Sequence, residues 1–192
     1  MRNLRTWKIN AGMAFLLLFA AGCAIKQYHP VPGTHAIENR FSIIRTDSLT
    51  IAVRPQAYVG SFKNANSSFF PVFFRVRNTS GVKQNLSSKN FMILAGAKQY
   101  DYIPLDYLLG TVTSRLLLDE YQSPFSTDSG VQQLNRDKQE EQYLELLSAY
   151  FSFGDILPGG MKEGYLFYDR AVGSHKTILI DILGRETVFV KE

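Results

Sequence analysis

The ten residues Phe69 to Asn78 constrain this chain more than any others. Phe70, Val72, Phe74 and Val76 fall on one face of an extended segment, and Pro71, Phe73, Arg75 and Arg77 fall on the other. A helix would scatter these residues around its axis, whereas a strand gathers the apolar set against a core. The segment therefore predicts a half-buried β-strand. Pro71 has no amide hydrogen, so its end of the strand is expected at a sheet edge or a strand start.

Comparable segments recur between turn signals. Leu49 to Val53, Phe91 to Leu94, Gln99 to Ile103, Tyr165 to Tyr168, Ile178 to Ile182 and Thr187 to Val190 bring the count to about seven strands. Asn78 to Gly81 supplies a turn, and Ala95-Gly96-Ala97 reads as the bend of a hairpin. Short strands in this number predict a mainly β fold, an antiparallel β-sandwich of immunoglobulin-like type. The Cys-Trp-Cys hallmark is absent, because Trp7 is the one tryptophan and Cys23 the one cysteine.

From about 104 to 157 the period changes. Leu105, Leu108, Leu109, Val112 and Leu116 stand at helical spacing behind Pro104, which suits a first helical turn. A second helix is expected after Ser126 to Gly130, where Ser129 and Gln132 offer a capping box. Its second half places Leu144, Leu147, Tyr150 and Phe151 on one face, with Tyr143 and Leu146 beside it. The segment is read as a helical hairpin inserted into the sandwich.

The amino-terminal stretch has a different logic. Arg2, Arg5 and Lys8 precede an apolar run, Ala11 to Ile25, of 15 residues, whereas a membrane-spanning helix needs about 20. This is the layout of a secretory signal. The run Phe19-Ala20-Ala21-Gly22-Cys23 resembles the lipobox of bacterial lipoproteins, with Ala20 at the position where leucine is commoner. The resemblance implies cleavage before Cys23, acylation of its thiol and of the new amino terminus, and attachment to a membrane. Ala24, where aspartate would signal retention in the inner membrane of enterobacteria, favours the outer membrane. An ordinary cleaved signal, or an uncleaved membrane anchor, is the plainer alternative for the same residues.

Behind the cysteine, Ile25 to Asn39 contains Pro30, Pro32 and Gly33 with no periodicity, and is read as an extended tether. The expected organisation is a signal at 1–22, a lipidated cysteine and tether at 23–40, and a sandwich domain at 41–192. Val72 to Ser80, Phe91, Leu157-Pro158-Gly159 and Gly164-Tyr165-Leu166-Phe167 resemble immunoglobulin-like domains of bacterial envelope lipoproteins, over residues 48 to 183.

The formal charge of +4 would suit a polyanionic partner, but it rests on the leader. Without Arg2, Arg5 and Lys8, 18 of the 21 basic residues face 17 acidic ones, and they do not cluster. Nucleic-acid binding is thereby disfavoured.

Catalysis needs residues that converge in a pocket, and the raw material here is thin. His29 and His35 lie in the expected tether and His175 in a turn, so a histidine metal site would need the tether to fold back. Asp119-Glu120 and Glu140-Glu141 are neighbours about 100 degrees apart on a helix and cannot share a proton. Gly159, Gly160 and Gly164 lack the Gly-Lys-Ser/Thr of a phosphate loop, and no Gly-x-Ser-x-Gly occurs. Asn66, Asn78 and Asn85 begin glycosylation-like triplets, read as turn chemistry. Tyr143, Tyr150, Phe151 and Phe153 form either a buried seam or a docking surface.

The sequence thus predicts a lipid-anchored, non-catalytic binding or scaffolding module of the bacterial envelope, with no cofactor or metal. Its partners are the membrane, through lipid on Cys23, and an envelope protein, through a polar helix surface at Arg136, Lys138, Glu140 and Glu141. Two rivals remain: a lipid-anchored hydrolase using Asp101, Asp106 and Asp155 between insert and sheet, and a structural subunit of an envelope assembly.

Overall fold

The structure, a computed structural model, describes residues 27–33, 35–62, 65–110 and 140–192. The leader, Cys23, the capping box at Ser129, and Val112, Leu116, Asp119, Glu120, Arg136 and Lys138 lie outside the described residues.

The described chain is mainly β, with twelve strands in antiparallel sheets. One five-stranded sheet runs β1 (Tyr28–Pro30), β12 (Arg185–Lys191), β11 (Thr177–Ile182), β7 (Phe91–Ala95), β8 (Lys98–Asp101). The other runs β10 (Met161–Asp169), β5 (Phe69–Asn78), β4 (Leu49–Pro55), β3 (Phe41–Arg45), β2 (Ala36–Glu38). A two-stranded ladder joins β6 (Gln84–Leu86) to β9 (Gly154–Ile156). Neither large sheet closes into a barrel, so each must bury one apolar face against the other.

Alternation decides which face that is. Leu49, Ile51 and Val53 on β4, Val72, Phe74 and Val76 on β5, and Ile178, Ile180 and Ile182 on β11 are all buried. The two sheets meet where Phe74 of β5 packs edge-on against Phe91 of β7, ring centres 5.3 Å apart. Thr187 on β12 donates its hydroxyl to Ser42 on β3 at 2.7 Å, so this buried polar pair between the sheets satisfies itself.

The seven strands read from the sequence are β4, β5, β7, β8, β10, β11 and β12. Their order, β4-β5-β10 in one sheet and β12-β11-β7-β8 in the other, corresponds to A-B-E against G-F-C-C′ of an immunoglobulin-type sandwich. Pro71 is buried in β5, where it pairs with Phe167 of β10, and its missing amide hydrogen falls at the end of the ladder with β4. It lies just beyond Val72, the last residue paired with β4, and its carbonyl accepts from the Gln56 amide that follows that strand.

The expected tether is corrected by the structure. Residues 28–30 form β1 on the edge of one sheet, paired Tyr28 to Lys191, and residues 36–38 form β2 on the edge of the other, paired Glu38 to Phe41. Proline is admissible there because Pro30 ends an edge strand. The described domain begins at about Tyr28, not at 41. The two residues Asn39 and Arg40, with φ of 51° and 68°, link β2 to β3 in the left-handed hairpin turn that matches strand twist.

The insert leaves after β8 through a helix at 105–110 and returns through a helix at 140–149. Both of its stems sit on the outer edge of β10: Ile103 N donates to Phe167 O at 2.7 Å and Phe151 N to Tyr165 O at 2.9 Å. Tyr150 ties the stems together by donating its hydroxyl to Ile103 O at 2.9 Å. No helix among the described residues is long and apolar enough to cross a membrane.

Candidate functional site

The helix at 140–149 is the part of the expected partner surface that the structure describes. Glu140 and Glu141 are exposed on it. The face expected to pack is only partly the one that does: Leu146 is buried, whereas Leu144 and Leu147 are 55% and 38% exposed. Tyr150 and Phe151 are buried as foreseen, but they belong to an extended stretch beyond the helix, bridged to Tyr165 of β10. A helical period carried across that helix end therefore selects the wrong leucines.

The aromatic cluster divides in the same way. Phe151 and Phe153 stack with Phe91 at 5.6 and 5.3 Å and form a seam between insert stem and sandwich. Tyr143 is 40% exposed and stays outside it.

One carboxylate fixes how the helix sits. Glu145 Oε2 accepts from Ser61 N at 2.8 Å and from the Ser61 hydroxyl, tying the helix to the loop that joins β4 to β5. A Cβ at Gly60 would collide with the Glu145 carboxylate and the Tyr58 phenol, so glycine alone lets the loop approach this closely. Tyr58 itself is held by Asn66, which bonds both its backbone N–H and its carbonyl. Its ring packs on Tyr165 and Phe167 at 5.3 and 5.6 Å. A small aromatic layer thus forms on the outer face of β10, one that no alternation pattern announces.

Burial, with the Glu145 carboxylate nearby, pushes the Tyr58 phenol up from 10.0 to about 12. The neutral phenol is the folded form, so this contribution to stability is complete below pH 10 and is lost as the pH rises toward 12. Burial likewise raises Tyr150 and Tyr168. Ultraviolet titration should show Tyr58, Tyr150 and Tyr168 ionising only at high pH or on unfolding. Ionisation of every tyrosine near pH 10 in a still-folded protein would reject their placement.

The carboxylates of the hydrolase reading do not converge. Asp101, Asp106 and Asp155 are all exposed. Asp155 accepts from Lys83 at 2.8 Å and Asn85 at 2.7 Å, and these bonds lower its pKa. The Asp101 carboxylate accepts from the Gln99 side chain at 3.2 Å. The three histidines stand apart: His29 on β1, His35 against Glu186 O at 3.0 Å, and His175 ending the 3-10 turn Arg170–Ser174. No group of three metal-ligating side chains occurs among the described residues.

Gly159 and Gly160 behave as turn chemistry, whereas Gly164 lies inside β10 opposite Phe74. Gly159, at φ 73°, lies in the bend where Gly160 N donates to Leu157 O at 2.9 Å. Asn78 is buried beside it, accepting from Ser80 and donating to Val82 O and Ile156 O. A broad, open depression of about 460 Å³ lies next to this corner, lined by Arg45, Thr50, Arg77, Asn78, Thr79 and Gly159. Arg45 there is already bonded to Glu38 at 2.8 Å.

No family model matches the chain, and no curated protein matches it. Among solved structures it is similar to that of a functionally unknown protein from Listeria monocytogenes EGD-e. The two are 10% identical over 88% of this chain and 85% of that one, with a TM-score of 0.39. That likeness is too distant to bear on fold or function.

Proposed function

We propose that this chain is a lipid-anchored bacterial envelope protein that acts as a non-catalytic binding or scaffolding module. The observation that carries the reading is Phe19-Ala20-Ala21-Gly22-Cys23 behind a basic and then an apolar stretch. One acyl chain binds a bilayer marginally and two or more hold firmly, so an acylated Cys23 keeps the domain on a membrane, the outer one if Ala24 is the sorting residue. A stiff sandwich with a long insert suits recognition, because an insert can vary without rebuilding the core. The partner surface is the polar stretch carrying Arg136, Lys138, Glu140 and Glu141, of which Glu140 and Glu141 are exposed on the helix at 140–149.

Intact-mass analysis of the membrane-extracted protein tests the anchor. The expected product begins at a modified Cys23, and an unmodified cysteine or a retained Met1 overturns it. Replacing residues 136–141 by alanine and serine tests the partner surface. Stability should change by no more than about 0.5 kcal/mol, as for other surface changes, while crosslinked partners are lost. Undiminished crosslinking would move the surface elsewhere on the domain.

A further inference from the structure

The start of β1 lies close to the cysteine read as lipid-bearing. Only four residue steps separate Cys23 from Gln27, the first described residue, and four steps span at most about 14 Å. Gln27 is not loose at that point. Its carbonyl accepts from Glu192 N at 3.1 Å, and its side-chain oxygen accepts from Arg40 Nη1 at 3.0 Å. A lipid on Cys23 would therefore hold one particular end of the sandwich toward the bilayer.

The chain topology brings several loops to that end. They include the Asn39-Arg40 turn, the Gly96-Ala97 hairpin bend, the 3-10 turn Arg170–Ser174 with Lys176 behind it, and the end of β12, beside the start of the loop that joins β4 to β5. The His175 ring lies against Gly96, and Lys191 N donates to Lys176 O at 2.8 Å, which fixes these loops side by side. They carry Arg40, Lys98, Arg170, Lys176 and Lys191 against Glu38, Asp169 and Glu192. All of the cations but Lys191 are exposed. Arg40 holds φ of 68°, at a turn position where glycine is the favoured residue.

We infer that this cationic end docks on a bilayer surface carrying anionic headgroups, with Arg40, Lys98, Arg170 and Lys176 as the contacting residues. The docking rests on the reading of Cys23 as the anchor. It adds orientation: the domain stands on the membrane by one end, and the Asp47 turn between β3 and β4 points away.

The test uses the mature acylated protein in phosphatidylcholine vesicles with and without phosphatidylglycerol. Cys23 sulfur is blocked by lipid, so a single introduced thiol takes a spin label cleanly, at Ala97→Cys near the anchor or Asp47→Cys at the far end. With phosphatidylglycerol present, the label at position 97 should become accessible to lipid-dissolved oxygen while that at position 47 stays aqueous. Each cation near an anionic surface is worth about a fivefold factor, so Arg40→Gln, Lys98→Gln and Lys176→Gln together should lower the docked-to-free ratio by about a hundredfold. High salt on the unaltered chain should release the same contact without any substitution. An acylated protein whose two labels are equally aqueous, or whose contact ignores both salt and the triple change, overturns the docking and leaves the anchor standing. An unmodified Cys23 removes both.

Discussion

Replacing Tyr28 by alanine should destabilise the domain by about 3–5 kcal/mol, the range for deleting a buried aromatic ring. The residue is 7% exposed although it lies on a three-residue edge strand. Its ring meets Phe70 edge-on at 5.3 Å, and its hydroxyl reaches His175 O at 2.5 Å and Val172 O at 3.3 Å. One side chain therefore pins β1 to the core and to the 3-10 turn Arg170–Ser174. Tyr28→Phe removes only the hydroxyl and should cost about 1 kcal/mol, which separates ring from hydrogen bond. Urea unfolding of both variants is the measurement. A change below about 0.5 kcal/mol for alanine would mean that β1 is an appendage and that these residues act as a tether after all. For the same reason a fragment beginning at Glu38, the choice a tether would suggest, should unfold at lower urea than one beginning at Gln27.

Phe91→Ala should have an effect as large, about 3–5 kcal/mol, for a different reason. Phe91 opens β7 and is almost wholly buried. It touches Phe74 of the opposite sheet at 5.3 Å, Phe151 at 5.6 Å and Phe153 at 5.3 Å. Removing it opens a cavity where the two sheets and the returning stem of the insert meet, so the stem should loosen with the core. Phe91→Leu fills most of the space and should cost far less. Hydrogen exchange at the Phe151 amide, which donates to Tyr165 O, reports the stem directly. Unchanged protection there in the alanine variant would show that stem and core are independent.

The sequence was most legible where a strand is long enough to alternate. All seven segments read as extended are strands, and their order yields the sandwich, although Tyr165 to Tyr168 are buried in succession and do not alternate. Four of the five remaining strands are three residues long, too short for any period to declare itself. The fifth, Phe41–Arg45, buries Ser42, Ile43 and Ile44 in succession, so alternation fails for it. Pro30, Pro32 and Gly33 pointed toward a tether, and what overrode them was a tertiary contact, the burial of Tyr28. In the insert, helical spacing identified a helix but not its packed face, since the tie between Glu145 and Ser61 links residues 84 apart in the chain. Nothing local encodes such a pairing. The cationic end was invisible for the same reason: Arg40, Lys98, Arg170 and Lys176 come together only once the loops are placed.

The way both stems of the insert grip β10 has a consequence for how this domain can diversify. Ile103 and Phe151 bond to Phe167 and Tyr165, alternate residues of one strand, and Tyr150 closes the gap between the two stems. The loop therefore begins and ends at a fixed socket, whatever chain is spliced between. Doubling the length of a flexible loop costs only about 0.6 kcal/mol in closure entropy. Segments of quite different size could be exchanged at that socket while the otherwise bare edge of a nine-residue strand stays capped against strand addition by another molecule.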